Sequence, residues 1–282
     1  MQGRREEETG AYWLVREEFR RPSTQQMDFF SSLPGNRMTD PRAAAKAKLI
    51  FALDVPSAGK ARHLVALLKD HIGLFKIGLE LFVSAGPAVL DAISDQTNAG
   101  IFLDLKFHDI PETMRAAQRA AEQHRVRFVT VHCDQRARLS TRPATTRDPQ
   151  LLGVTVLTSL SQADLQGAGW YAPDLTVEKL ALLRAETAFH AGCAGVVCSG
   201  NEARQIKTRF GPDFLVITPG IRPAWAPVAK DDQQRATTPA EAIAQGADYL
   251  VVGRPIRTAP DPVKAAERVI DEIAASLITT DR

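Results

Sequence analysis

From Leu49 to the C-terminus, short and almost wholly apolar runs alternate with stretches in which apolar residues recur at helical spacing. The runs are LIFALDV (49–55), LFKIGL (74–79), IFLDLKF (101–107), RFVTVH (127–132), LLGVTVL (151–157), AGVVCS (194–199), FLVITPG (214–220) and DYLVVGR (248–254). Helix-like segments lie between most of them, among them Ser57 to His71, Glu80 to Gln96, Pro111 to Arg125 and Leu175 to Ala191. Near-continuous apolar strands alternating with helices predict a parallel sheet covered by helices. Eight such units in about 205 residues fit the lower end of the size range of an α/β protein built as a (β/α)8 TIM barrel. The rival, a doubly wound open sheet, would usually bring a glycine fingerprint after its first strand, and Asp54-Val55-Pro56-Ser57 has none. Thr238-Pro239-Ala240-Glu241 reads as a capping box with proline at the first helical position, and Asp261-Pro262 opens the last helix in the same way. One interval is weak: Cys133 to Gln150 is crowded with arginines and interrupted by Pro143, so a short or irregular fourth helix is expected there.

Residues 1–45 break this pattern. Charge runs (Arg4 to Glu8, Arg16 to Arg21) adjoin a polar, turn-prone stretch, and little apolar surface is available for burial. The expectation is an N-terminal extension, disordered or the product of a start assigned ahead of Met38, with a docking arm built on AYWLVREEF as the alternative. Residues 46–282 form a single barrel domain in this reading. Composition adds exclusions. The 35 Lys and Arg against 33 Asp and Glu leave a net charge of +2, which supplies no basic field for nucleic acid. No apolar run approaches the roughly 18 residues of a membrane-spanning helix. Cys133, Cys193 and Cys198 make neither a disulfide framework nor a zinc-binding pair and read as small buried thiols, which fits a reducing cytoplasm.

In a barrel of this kind the chemistry sits at the C-terminal ends of the strands. Those ends carry Asp54 on the first strand, Lys76 on the second, Asp104 and Lys106 on the third, and Asp109 in the loop that follows. Asp104 and Lys106 are two apart and share one face of their strand, with Leu103 and Leu105 turned toward the helices. Two carboxylates and two ammonium groups at one barrel mouth are costly to desolvate unless they alternate, and apolar packing would serve a purely structural purpose at lower cost. At the far end of the chain, Thr218-Pro219-Gly220-Ile221-Arg222 follows strand seven and Gly253-Arg254-Pro255-Ile256 follows strand eight, the usual phosphate site of these barrels. Glycines admit backbone N–H groups and a guanidinium grips two oxygens at once. The polar loop from Arg222 to Thr237, with Asp231-Asp232-Gln233, is long enough to act as a lid. His108 reads better as a residue packed beside the strand end than as a base, His132 ends strand four, and Trp170 and Trp225 are loop residues.

The run Asp104-Leu105-Lys106-Phe107-His108-Asp109-Ile110-Pro111 closely resembles the signature of the orotidine 5′-phosphate decarboxylase family. The other pieces fall in order: ALDV (52–55), FKIGLEL (75–81), VTVLTS (154–159), TPGIRP (218–223), DDQ (231–233) and VVGRPI (251–256). The resemblance covers about Leu49 to the C-terminus and is nearest the free-standing bacterial form. It implies decarboxylation of orotidine 5′-phosphate to uridine 5′-phosphate in pyrimidine biosynthesis, without cofactor or metal. Lys106 would stabilise and then protonate a carbanion at C6 of the ring. It further implies that Asp54 and Lys76 hold the ribose hydroxyls, and that Lys76, Asp104, Lys106 and Asp109 form an alternating charged network. Asp109, Ile110 and Thr113 would reach into a neighbouring subunit's site, which makes the enzyme a homodimer. Thr158 would recognise the pyrimidine edge, Pro219 line the site, Gln233 bridge base and phosphate, and Gly253 with Arg254 bind phosphate. The chain departs from the family pattern at Glu112, where asparagine is common, and at Cys133-Asp134-Gln135, where a glycine-rich turn is expected. Two alternatives share part of the pattern: a magnesium-dependent sugar-phosphate decarboxylase or hexulose-phosphate synthase, and a catalytically silent phosphate-binding barrel.

Overall fold

A computed structural model describes residues 40–133, 139, 149–168, 174–226 and 233–280. Its elements run in the order α1 (Pro41–Lys48), β1 (Leu49–Ala52), α2 (Ala58–Leu68), β2 (Leu74–Gly78), α3 (Leu79–Ala85), α4 (Ala88–Ser94), β3 (Gly100–Phe107), α5 (Pro111–Glu122), β4 (Val126–His132) and β5 (Gln150–Val154). There follow α6 (Gln162–Gly167), α7 (Val177–His190), β6 (Gly195–Val197), α8 (Gly200–Phe210), β7 (Leu215–Thr218), α9 (Pro239–Ala244), β8 (Tyr249–Val252), α10 (Arg254–Arg257) and α11 (Pro262–Thr280). The eight strands pair in sequence order, all parallel, and β8 returns to β1 to close the barrel. The chain is a (β/α)8 TIM barrel, as its apolar pattern predicts.

Alternate residues of each strand face opposite ways, and two apolar layers result. Ile50, Ala52, Leu74, Phe102, Phe128, Leu152, Ile217 and Val251 fill the barrel interior, where Phe102 and Phe128 meet edge to face at 6.0 Å. Leu49, Phe51, Phe75, Ile77, Leu103 and Val129 point outward into the layer shared with the helices. Both faces are buried, so the strands read as unbroken apolar runs.

The expected capping box of α9 is present: the Glu241 N–H donates to Thr238 Oγ1 at 3.2 Å and the Thr238 N–H to Glu241 Oε2 at 2.9 Å. Asp261 caps α11 by accepting the Lys264 N–H at 3.1 Å. Two expectations are corrected. The helix expected over 80–96 is two helices, α3 and α4, because Gly86 leaves the helical region (φ 65°) just ahead of Pro87. The domain boundary placed near residue 45 falls inside α1, whose Ala45 is fully buried in the core and whose Arg42 pairs with Asp271 on α11. The expectations for residues 1–39 and for an irregular helix across 134–138 and 140–148 lie outside the described residues.

Candidate active site

Period two along the first three strands carries the interior apolar residues up to the charged ones. Ile50 and Ala52 lead to Asp54, Leu74 leads to Lys76, and Phe102 leads to Asp104. The register places Lys76 beside Ala52 on one side and Phe102 on the other, with Asp104 beside Gly78. Their side chains therefore meet over the Phe102 floor, at the mouth of a cavity of about 620 Å³. Lys76 Nζ lies 3.1 Å from Asp54 Oδ1 and 3.4 Å from Asp104 Oδ2, and Lys106 Nζ lies 2.8 Å from Asp104 Oδ1. The order Asp54–Lys76–Asp104–Lys106 alternates in sign, as desolvation demands. Gly78 completes this corner, since a Cβ there would stand 3.2 Å from the Lys76 ammonium.

Burial shifts both central groups against their charge, and the neighbours reverse it. Burial pulls the Lys76 ammonium down, but the carboxylates of Asp104 and Asp54 outweigh it and leave its pKa above the ordinary lysine value. Burial pushes Asp104 up, while Lys76, Lys106 and the Thr130 hydroxyl hold its carboxyl below the ordinary aspartate range. With side-chain exposures of only 12% for Lys76 and 14% for Asp104, these charges are held by partners rather than by water.

Lys106 sits on a distortion of β3. Its φ is 52°, and between Leu103 and Phe107 the pairing with β4 slips, so that four residues of β3 run against two of β4. A left-handed conformation is strained for a side chain of this type, by about 1–3 kcal/mol, and persists only where its surroundings fix it. Here the Lys106 N–H donates to Thr130 Oγ1 at 2.8 Å, and that hydroxyl donates to Asp104 Oδ1 at 3.0 Å. Thr130 is completely buried on β4. One hydroxyl thus ties the backbone of Lys106 to the carboxylate its ammonium faces.

The opposite wall is carried by loops. Thr158, Pro219, Gln233, Gly253 and Arg254 all line the cavity, as expected, together with Arg222 and Arg257. The Thr158 hydroxyl donates to Gln233 Oε1, and the Gln234 N–H donates to the Thr158 carbonyl at 3.2 Å. Gly220 has φ 74°, and a Cβ at that position would meet Gln233 Oε1 at 3.0 Å, so both conformation and space call for glycine. Of the expected lid motif, Asp231 and Asp232 lie outside the described residues and Gln233 stands in the wall.

Asp109, Ile110 and Thr113 do not line this cavity. All three are exposed, Ile110 by 63%, and Asp109 accepts the Ile110 N–H at 2.6 Å. Glu112 pairs with Arg115 and Arg119 on its own helix face, and hydrogen bonds from them hold its carboxyl low. His108 packs against His132, ring centroids 5.1 Å apart. Trp225 lies under the Arg268 guanidinium and donates to Glu272, an attachment to α11, whereas Trp170 lies outside the described residues. The three cysteines are buried thiols. Sequence reasoning passed over Thr130, Arg222 and Arg257. The arginines stand inside quoted motifs and could have been found from their place after strands seven and eight, but nothing in the sequence marks Thr130.

The profile of the family described as "Orotidine 5′-phosphate decarboxylase / HUMPS family" matches residues 47–269. An orotidine 5′-phosphate decarboxylase of Desulfosudis oleivorans is 47% identical over 239 residues, covering 83% of this chain and 96% of that one. One from Geobacter sulfurreducens is 41% identical over 242 residues, covering 83% and 99%. Among solved structures, the orotidine 5′-phosphate decarboxylase of Lactobacillus acidophilus superposes with a TM-score of 0.67 at 34% identity, over 80% of this chain and 98% of that one.

Proposed function

The chain belongs to the orotidine 5′-phosphate decarboxylase / HUMPS family, and from that premise we propose how its cavity performs the reaction. The protein decarboxylates orotidine 5′-phosphate to uridine 5′-phosphate in pyrimidine biosynthesis. The observation that carries the residue assignment is the Lys106 ammonium, 2.8 Å from Asp104 at the end of an alternating row of fixed charges that opens into the cavity.

Breaking the C6–carboxylate bond releases CO2 and leaves its electron pair at C6, in the plane of the ring, where the π system cannot accept it. The remaining lever is a charge already placed where the new charge develops. The Lys106 ammonium faces C6, stabilises the carbanion, and then transfers its proton to form the C6–H bond of uridylate. The neutral amine left behind regains a proton from water. Asp104 keeps Lys106 charged and aimed. Its place near the departing carboxylate adds repulsion in the ground state, which is relieved as CO2 leaves. Asp54 and Lys76 bind the ribose hydroxyls, Thr158 and Gln233 face the base, Pro219 lines the pocket, and Gly253 with Arg254 grips the phosphate.

Asp109, Ile110 and Thr113 complete the site of a neighbouring subunit in a homodimer. Their exposure outside their own cavity supports this reading. Among the described residues no helix is long and apolar enough to cross a membrane, and we place the enzyme in the cytoplasm, with its nucleotide substrate. The test follows loss of orotidylate absorbance with purified, chelator-treated protein, alongside its native mass. Full turnover and a dimer mass are expected. Activity lost on chelation and restored by magnesium would favour the sugar-phosphate chemistry, and a fully active monomer would refute the shared site.

A further inference from the structure

We propose that the buried ion pair Glu202–Arg235 is a positioning device: it fixes the Thr158–Gln233 pair so that the cavity discriminates the nucleotide base. This rests on the reading that Thr158 and Gln233 face the base.

The mechanism above makes no use of Glu202, yet its side chain is wholly buried (0% exposed), and the Arg235 side chain is only 10% exposed. Each is satisfied from several sides. Glu202, on the first turn of α8, accepts the Ser199 N–H with Oε2 at 3.0 Å and thereby completes a capping box. Its other oxygen, Oε1, accepts from Arg235 Nη1 at 2.5 Å. Arg235 Nη2 donates to the carbonyls of Val156 and Leu157 at 2.8 and 3.1 Å, and the Arg235 carbonyl accepts from Ser199 Oγ at 3.2 Å.

The two anchored segments are the ones that carry the base-facing pair. Leu157 precedes Thr158, and Arg235 follows Gln233 by two residues. The guanidinium therefore clamps the turn after β5 to the end of the loop after β7, one residue below one member of the pair and two beyond the other. Helix α8 serves as the fixed base of this clamp, because the same carboxylate that holds Arg235 also caps the helix. A buried ion pair is a poor means of adding stability, since apolar side chains of similar volume often do as well or better. What the planar guanidinium supplies and apolar packing does not is direction: its rigid donors set a carboxylate and two carbonyls in one fixed arrangement. Loosening it leaves Lys106, Arg254 and the strand-borne charges in place and displaces only the pair that reads the base.

The test compares the affinities of the full chain for uridine 5′-phosphate and for ribose 5-phosphate, which lacks the base, in the parent and in Glu202→Gln, Arg235→Met and Arg235→Lys. Glu202→Gln keeps an acceptor for the Ser199 N–H and so retains the helix cap. The parent binds the nucleotide more tightly. In Glu202→Gln and Arg235→Met this preference shrinks by about tenfold, the equivalent of one hydrogen bond lost from the base, while ribose 5-phosphate binds as in the parent. Arg235→Lys, which keeps the charge but not the fork, falls between. If Arg235→Met does not fold, Glu202→Gln decides. Variants that keep the parent's full preference, or that lose affinity for both ligands equally, overturn the proposal alone. A parent that binds the two ligands equally overturns the reading of Thr158 and Gln233 and the proposal with it.

Discussion

Along the β1–β3 wall of the cavity the charged groups stand on the strands or one to two residues past their ends, whereas the β5–β8 wall is made of groups that loops carry. The first wall inherits its geometry from the barrel: pleat and register set Asp54, Lys76, Asp104 and Lys106 in a row, and one buried threonine locks the single irregularity. The second wall has no such frame and is braced from behind by Glu202 and Arg235. Both rest on buried ion pairs, but they differ in what faces them. The row on β1–β3 opens into the cavity, so its field acts on whatever binds there. The pair behind the second wall is closed off by a helix cap and two carbonyls, so it can act only through position. A buried charge serves chemistry when one side of it is left to the ligand, and serves geometry when every side is taken.

Removing the reacting charge should give the largest effect. Lys106→Ala deletes both electrostatic stabilisation and the proton donor, and a loss in kcat of at least about 10⁴-fold is expected with the native mass unchanged. Near-normal turnover by this variant would strip Lys106 of its role and erase the distinction between the walls. Arg254→Ala, on the loop-built wall, should cost about 2–4 kcal/mol, or roughly 30- to 1000-fold, in kcat/KM for orotidine 5′-phosphate. That loss should shrink for the nucleoside without its phosphate, and an equal loss for both substrates would contradict a phosphate grip.

The smallest effect is on stability, and its sign separates the two ion pairs. Asp104 has a depressed pKa, so its contribution is full above the ordinary aspartate range and is lost as pH falls through the folded value. Glu202 behaves in the opposite way. Burial pushes its carboxyl up, and Arg235 and the Ser199 N–H only partly offset this. The cost of its charge is therefore full above the raised value and is relieved as pH falls from there to the ordinary glutamate range. Urea unfolding followed from neutral to acid pH should show Asp104→Asn losing stability less steeply than the parent and Glu202→Gln more steeply. Slopes that change in the same direction would show that the two pairs are of one kind.

The amino-acid order alone settled the barrel and the charged half of the site. Parallel strands buried on both faces must be nearly continuous runs of apolar residues, so all eight were visible, and a charge two positions beyond an interior residue must share its face. The same local logic found the caps of α9 and α11, and it failed at 80–96 only because the break ahead of Pro87 was not weighed. What folding in three dimensions decided depends on neighbours distant in sequence. Thr130 reaches the Lys106 backbone only because β4 pairs with β3 across a slipped register, 24 positions away. Arg235 meets Glu202 across 33 positions and the Val156 carbonyl across 79. No periodicity encodes such contacts, since they arise from the closure of the barrel and from loops that meet over its rim.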